Sequence, residues 1–290
     1  MLRRQLLPLL SVALALVACS PSEATDSTRP VAAVAGVHTP PGYDSARQYP
    51  LIVLLHGFGS NAATVESYFG IEPLSAQYGF LYVVPSGTPD IDGHQFWNAT
   101  DACCDMFGAE TDHSAALLEL VHQVQAEYSV DPKRIYFVGH SNGGFMSYRM
   151  ACDHADTVAA IVSLAGASWG DPAKCTPSQP VSVLQIHGTA DNTIFYDGGE
   201  FSGRQHPAVH TTMELWARYN GCADTATVTA SALDLDSGLP DAETSITQYS
   251  GCPADGAVEL WSIEGGGHGP TLSASFTPSL IEFLLAHARP

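Results

Sequence analysis

Three side chains in this 290-residue sequence have the types and surroundings that nucleophilic catalysis needs. Gly139-His140-Ser141-Asn142-Gly143-Gly144 follows an apolar run ending at Val138 and precedes a helical stretch over 145–151. A G-x-S-x-G pattern alone is weak evidence. Between a buried strand and a helix it means more, because only small flanking residues allow so tight a turn, and the turn lifts the Ser141 hydroxyl clear at a helix N-terminus. A Gly-rich turn without catalysis is the competing reading. A serine hydroxyl is a poor nucleophile and needs a base held by a third group. His187-Gly188-Thr189-Ala190-Asp191 follows a run ending at Ile186 and offers Asp191 as the orienting acid. Gly265-Gly266-Gly267-His268-Gly269 follows one ending at Ile263 and offers His268 as the base. His56-Gly57-Phe58-Gly59 ends the first apolar run, where a loop can lend backbone N–H groups to a developing oxyanion; Phe58 and Asn142 are the expected donors.

The elements that must position these residues alternate. Leu51-Ile52-Val53-Leu54-Leu55 and Phe80-Leu81-Tyr82-Val83-Val84 are short continuous apolar runs, as in strands buried on both faces of a parallel sheet. Helical spacing runs between them over 61–78. Asp112 is placed to cap a helix whose apolar face holds Ala116, Leu117, Leu120, Val121 and Val124. Asp131-Pro132 then turns the chain into a strand at 135–138. Strands are expected at 159–162, 181–186 and 258–263, and helices at 207–219 and 278–287, with Pro207 suited to a first turn. Residues 223–257 fit neither pattern and read as an irregular or short-stranded excursion. Strand–helix alternation implies a doubly wound, mostly parallel α/β sheet in one domain. Only about 16 residues separate the strands ending near Leu164 and starting at Val181, so a cap domain does not fit there.

The chain resembles the α/β-hydrolase esterases of the polyhydroxybutyrate depolymerase and feruloyl esterase type, similar to carbohydrate esterase family 1. The matching features are HGFGSNA, VVPSG, the segment with Trp97, Asn98, Cys103 and Cys104, VDPKRIYFVGHSNGGFMSYRMAC, IHGTADNTI and GGGH. They run from about residue 30 to the C-terminus. The order Ser141…Asp191…His268 is that of the α/β-hydrolase fold. The resemblance implies secreted hydrolysis of carboxylic esters, with these three as the triad. One departure is Gly269-Pro270, where the family often carries an aromatic after its histidine. In such a triad His268 takes the Ser141 proton during attack on the ester carbonyl and returns it to the leaving alcohol, and water repeats the cycle on the acyl-enzyme.

Composition narrows the partners. A formal charge of −19 repels phosphate backbones and anionic headgroups, so nucleic acid is not an expected partner, whereas a neutral sugar ester or polyester meets no such barrier. Residues 1–18 read as an export signal: Arg3 and Arg4 start it, and 6–17 is an apolar run too short for a stop-transfer helix. Leu16-Val17-Ala18-Cys19 resembles the lipobox of bacterial lipoproteins, making Cys19 the lipidation site and the chain's contact with a membrane. An ordinary cleaved signal is the alternative. Residues 19–30 are small and polar, a flexible tether, and 31–290 form the single catalytic domain. The expected location is the cell envelope or the medium, and the expected state is a monomer.

Six further cysteines in an exported chain imply three disulfides. Cys222 and Cys252 are expected to pair; Cys103 and Cys104, being adjacent, are each expected to reach a different partner among Cys152 and Cys175. Without paired C-x-x-C spacing a zinc site is not favoured. His206, His210 and Glu214 at i, i+4 and i+8 could bind a metal on one helical face, but a solvated face is the plainer reading, and neither metal nor cofactor is expected. Trp97 is a candidate to stack on an aromatic acyl group or a sugar, with core packing as the alternative. His56, His140 and His187 read as loop-shaping. The leading reading is an envelope-anchored serine esterase acting on feruloyl or acetyl esters of plant polysaccharide. The alternatives are a short-chain polyester depolymerase and a non-catalytic binding lipoprotein.

Overall fold

The computed structural model describes residues 36–290; the expected signal, tether and Cys19 lie outside the described residues. In chain order the first elements are β1 (Tyr49–Leu55), α1 (Ala62–Phe69), α2 (Glu72–Tyr78), β2 (Leu81–Val83), β3 (Thr88–Pro89), β4 (Gln95–Phe96), α3 (His113–Glu127), β5 (Val130–His140) and α4 (Asn142–Asp153). The rest are β6 (Ala160–Leu164), β7 (Ser182–Gly188), β8 (Gly199–Phe201), β9 (Arg204–His206), α5 (Val209–Tyr219), β10 (Ala226–Leu233), β11 (Thr244–Tyr249), β12 (Val258–Ile263) and α6 (Phe276–Ala286).

One 8-stranded sheet has the order β10-β11-β12-β7-β6-β5-β1-β2. The six strands from β12 to β2 are mutually parallel, and β11 runs antiparallel to both neighbours at the far edge. Every residue of β1, β6 and β7 is buried, which is why these strands read as continuous apolar runs. Leu51, Val53 and Leu55 pack with residues of α3, α4 and α5 on one face, while Ile52 and Leu54 pack with α1, α2 and α6 on the other. The chain steps from β1 outward to β2, then returns to the other side of β1 and moves away through β5, β6 and β7. Its direction reverses between β1 and β5. Crevices at the carboxyl ends of strands flanking such a reversal are where open α/β sheets bind ligands. His56 follows one strand end and Ser141 the other.

Several boundaries differ from the sequence reading for local reasons. The helical stretch over 61–78 is two helices, because Gly70 adopts the left-handed conformation (φ 58°) and its N–H closes on Glu66 O. Asn61 caps the first, accepting from Thr64 N, and Asp112 caps α3, accepting from Ala115 N. Asp131-Pro132 does not turn the chain but lies inside β5, which already pairs with Tyr49 at Val130. Pro207 precedes α5, and His206 ends β9. The excursion over 223–257 contains the antiparallel pair β10–β11.

The cysteine pairing needs one correction. Cys222–Cys252 forms as expected. Cys103 and Cys104 pair with each other rather than with separate partners. Cys152, on α4, and Cys175 lie 5.5 Å apart between Cα atoms, a span one disulfide bridges, so they satisfy each other. Residues 165–181 between β6 and β7 hold a 3-10 turn at Pro172–Lys174 and no other helix or strand.

Candidate active site

Ser141 sits between β5 and α4 with φ 53° and ψ −119°, a strained conformation for a residue with a Cβ. The turn survives because neighbouring backbones come together where side chains are missing. A Cβ on Gly139 would overlap the Gly143 carbonyl, and one on Gly143 would overlap the Leu55 carbonyl at the end of β1. The Ser141 amide donates to Leu164 O at 2.7 Å, fixing the turn to β6.

His268 Nε2 lies 2.9 Å from Ser141 Oγ, and His268 Nδ1 lies 2.8 Å from Asp191 Oδ2. The imidazole is about one-fifth exposed, and the carboxylate is fully buried. Asp191 Oδ1 accepts from the amides of Thr193 at 2.8 Å and Ile194 at 3.0 Å, so the carboxylate cannot swing. Burial alone would raise the Asp191 carboxyl, but hydrogen bonds from His187 and His268 and the Thr193 amide outweigh it and hold the group well below the usual carboxylate range. An ionised acid fixed against Nδ1 keeps the proton there and leaves Nε2 as an acceptor facing the hydroxyl.

Two loops hold this arrangement together. The Ala190 amide donates to Gly266 O at 2.9 Å and the Gly265 amide to Thr189 Oγ1 at 2.8 Å, tying the Asp191 turn to the His268 turn. His140 Nε2 lies 3.0 Å from His268 O, and Tyr68 Oη donates to Pro270 O at 2.9 Å. Desolvation lowers the His140 pKa to about 4, so the ring is neutral and can donate to that carbonyl. Both serve the shape of the site from beneath.

A Cβ on Gly57 would lie 3.4 Å from Ser141 Cβ, which places the Gly57-Phe58 peptide beside the nucleophile. Among the described residues neither the Phe58 nor the Asn142 amide has a protein acceptor. Asn142 is fully buried and its side chain zips to the backbone of Trp97, accepting from Trp97 N at 2.7 Å and donating to Trp97 O at 2.8 Å. That pair of hydrogen bonds fixes the first turn of α4 without using the Asn142 backbone N–H.

Trp97 itself is not a contact for substrate. It is 0% exposed, its indole N–H donates to His56 O at 3.0 Å, and its ring packs on His56 and His113. The core-packing reading is therefore the right one. His56 donates from Nδ1 to Gly57 O at 2.7 Å and accepts at Nε2 from Gly87 N at 2.9 Å, bracing the same loop. His206 lies on β9, so it shares no helical face with His210 and Glu214, and no group of three metal-binding side chains occurs among the described residues.

Sequence reasoning missed how Asp191 is surrounded. His187 and Gln185, two residues apart on β7, both point at one side of the buried sheet and join the acid to Tyr148 on α4. The signal was present: two polar residues at i and i+2 within an apolar strand share a face, and burial obliges each to find partners.

The chain matches the family model for esterase PHB depolymerase over residues 34–242. It is 28% identical to feruloyl esterase B of Piromyces equi over 243 residues, 80% of this chain and 42% of that protein. It is 27% identical to poly(3-hydroxyalkanoate) depolymerase C of Paucimonas lemoignei over 259 residues, 80% of this chain and 57% of that protein. The match thus spans about half the length of these relatives. Among solved structures, acetyl xylan esterase from Aspergillus awamori superposes with a TM-score of 0.63 at 16% identity, covering 86% of this chain and 93% of that one. The shared architecture is the expected doubly wound α/β-hydrolase fold.

Proposed function

The chain belongs to the PHB depolymerase esterase family, and from that premise we propose that it is a serine hydrolase of carboxylic esters. One observation carries the reading: an unbroken chain from Ser141 Oγ through His268 to a buried Asp191, at 2.9 and 2.8 Å, set at the reversal point of the sheet. Ser141 attacks the ester carbonyl, His268 accepts its proton and delivers it to the leaving alcohol, and Asp191 holds the imidazole. The Phe58 and Asn142 amides receive the oxyanion. Water then enters by the same route and releases the acid. In the first half the ester C–O bond breaks as the acyl group passes to Ser141 Oγ. In the second, water displaces that group, and the proton His268 takes from the water returns to Ser141, so the triad is restored only at the end of the cycle.

The proposed substrates are feruloyl or acetyl esters carried on plant polysaccharide. The 165–181 connection is too short to hold a cap domain, which suits a side branch of a polymer, and the net charge of −19 sets no barrier against a neutral one. The likeness to poly(3-hydroxyalkanoate) depolymerase C favours a second reading, a short-chain polyester. Export, and anchoring of a monomer through lipidated Cys19, complete the proposal on the strength of the 1–19 pattern; an unmodified mature N-terminus downstream of Cys19 in a mass spectrum would remove the anchor.

The test is hydrolysis of methyl ferulate, acetylated xylan and a hydroxyalkanoate polymer by the purified, oxidised protein beside Ser141→Ala. Release from one of the first two that vanishes in the variant is the expected result. Release only from the polymer selects the polyester reading. Undiminished rates in Ser141→Ala overturn the nucleophile.

A further inference from the structure

A second histidine touches the proposed catalytic acid. His187 Nε2 lies 3.1 Å from Asp191 Oδ2, the same oxygen that faces His268, and 2.8 Å from Ile194 O. Both side chains are completely buried. A neutral imidazole carries one ring proton, and its position decides whether His187 stabilises this carboxylate or presents a lone pair to it.

The surrounding bonds determine that position from a single fixed point. Gly166 O is a backbone carbonyl and can only accept, so the Gln185 atom 2.9 Å from it is the amide nitrogen. That same nitrogen lies 2.9 Å from His187 Nδ1, which must therefore accept. The ring proton then sits on Nε2, shared between Ile194 O and Asp191 Oδ2. At the other end Gln185 Oε1 accepts from Tyr148 Oη at 2.8 Å, so each member of the chain has its donor and acceptor roles assigned. Tyr148, Gln185 and His187 are all 0% exposed, and no water is needed to complete the set.

We infer that His187 is a positioning residue for the reaction, its tautomer selected by Gln185, and that it acts only through Asp191. This rests on the triad reading above. His187 supplies Oδ2 with a second N–H. That bond helps hold the carboxylate ionised and facing His268 Nδ1, and the same N–H pins the 191–194 turn through Ile194 O. Gln185, which touches no member of the triad, influences the rate by keeping the proton on Nε2. Replacing it with Glu leaves an acceptor where Gly166 O and His187 Nδ1 both need a donor. The ring then moves its proton to Nδ1 and turns a lone pair toward Asp191.

The experiment measures kcat and KM on an aryl acetate for wild type, His187→Leu, His187→Gln, Gln185→Glu, Asp191→Asn and the double variant His187→Leu/Asp191→Asn, with Ser141→Ala as control. Folding of each is checked by circular dichroism. His187→Leu and Gln185→Glu should each lower kcat at least about tenfold with KM within about twofold, and His187→Gln, whose amide can present an N–H near the Nε2 position, should recover most of the loss. In the Asp191→Asn background His187→Leu should cost less than about twofold, because its route to the reaction is already cut. A folded His187→Leu with wild-type kcat overturns the inference, as does an equal loss in both backgrounds. Should His187→Leu not fold, an unchanged kcat in Gln185→Glu overturns it instead. A fully active Ser141→Ala brings down the triad reading itself, which separates the two failures.

Discussion

The reversal point of this sheet and its far edge are built by different means. At the reversal point, β1, β5 and α4 meet backbone to backbone: Gly139 against Gly143, and Gly143 against Leu55. The buried Asn142 side chain adds a polar tie there, zipping to the backbone of Trp97. At the far edge, β10 pairs on one side only, residues 226–230 are exposed, and Val228 is 63% exposed on a strand rich in Thr and Ala. A covalent staple, Cys222–Cys252, closes the open end of that hairpin. The first region gains its precision from contacts that leave no room for alternatives; the second tolerates alternatives and relies on a restricted unfolded chain. Placing a nucleophile to within a fraction of an ångström requires the first kind of construction.

The largest effect should come from breaking the reversal point. Gly143→Ala puts a Cβ into the Leu55 and His56 carbonyls, and backbone atoms cannot rotate aside as a side chain would. The expected cost exceeds about 4 kcal/mol, and any relaxation that relieves it moves Ser141, so hydrolysis should fall by at least about 1,000-fold even in the folded fraction. Denaturant unfolding and kcat measured together check this; a variant with near-native values of both would dissolve the contrast.

Acid should act on the same region next. Burial lowers the pKa of both His140 and His113 to about 4, so both are neutral in the fold. The unfolded chain binds protons there near pH 6.5, and its extra protons draw the equilibrium toward unfolding only below that value. Stability is therefore fully present above pH 6.5 and declines as pH falls toward 4, by up to about 1.4 kcal/mol per pH unit for each ring. Below the ordinary carboxylate range Asp191 adds a loss in the same direction. Residues 223–257 contain no histidine, so hydrogen exchange at pH 5 should rise around 135–145 more than in β10 and β11. Equal rises in both regions would remove histidine burial as the cause.

How much was legible in advance follows the same division. The strand ends were readable because buried parallel strands are apolar throughout and end in Gly-rich turns, and those ends bring the Ser141, Asp191 and His268 side chains together. The proposed oxyanion donors Phe58 and Asn142 lie beside those turns. Trp97 was ambiguous because an indole suits a core and a sugar equally, and only its burial decides. The cysteine pairing was misread because adjacency in sequence says nothing about whether Cys152 and Cys175 are already neighbours. His206 was placed on a helix because Pro207 marks a first turn about as well as it ends a strand. The inferred role of His187 needed the hydrogen-bond directions of Gln185, on β7, and Gly166, in the connection between β6 and β7. Spacing cannot supply those directions.

The far edge should prove tolerant in proportion to its distance from these constraints. Cys222→Ser with Cys252→Ser opens a loop with a sequence separation of 30. In the chain-entropy model that costs about 3–4 kcal/mol, which thermal unfolding should register as a lowered Tm. The staple lies at the end of the β10–β11 hairpin remote from the Asp236 and Thr271 contacts that hold the segment after His268. Well below the transition, kcat should therefore stay within about twofold of wild type. Val228→Lys is the mildest test. The side chain is exposed on an edge strand, its loss opens no cavity, and a charge there discourages pairing with another chain. Stability should change by less than about 0.5 kcal/mol and kcat not at all, with aggregation on heating reduced. A substantial fall in kcat from either change would mean that the edge shares in placing His268, and that the two halves of the sheet are less separate than their construction implies.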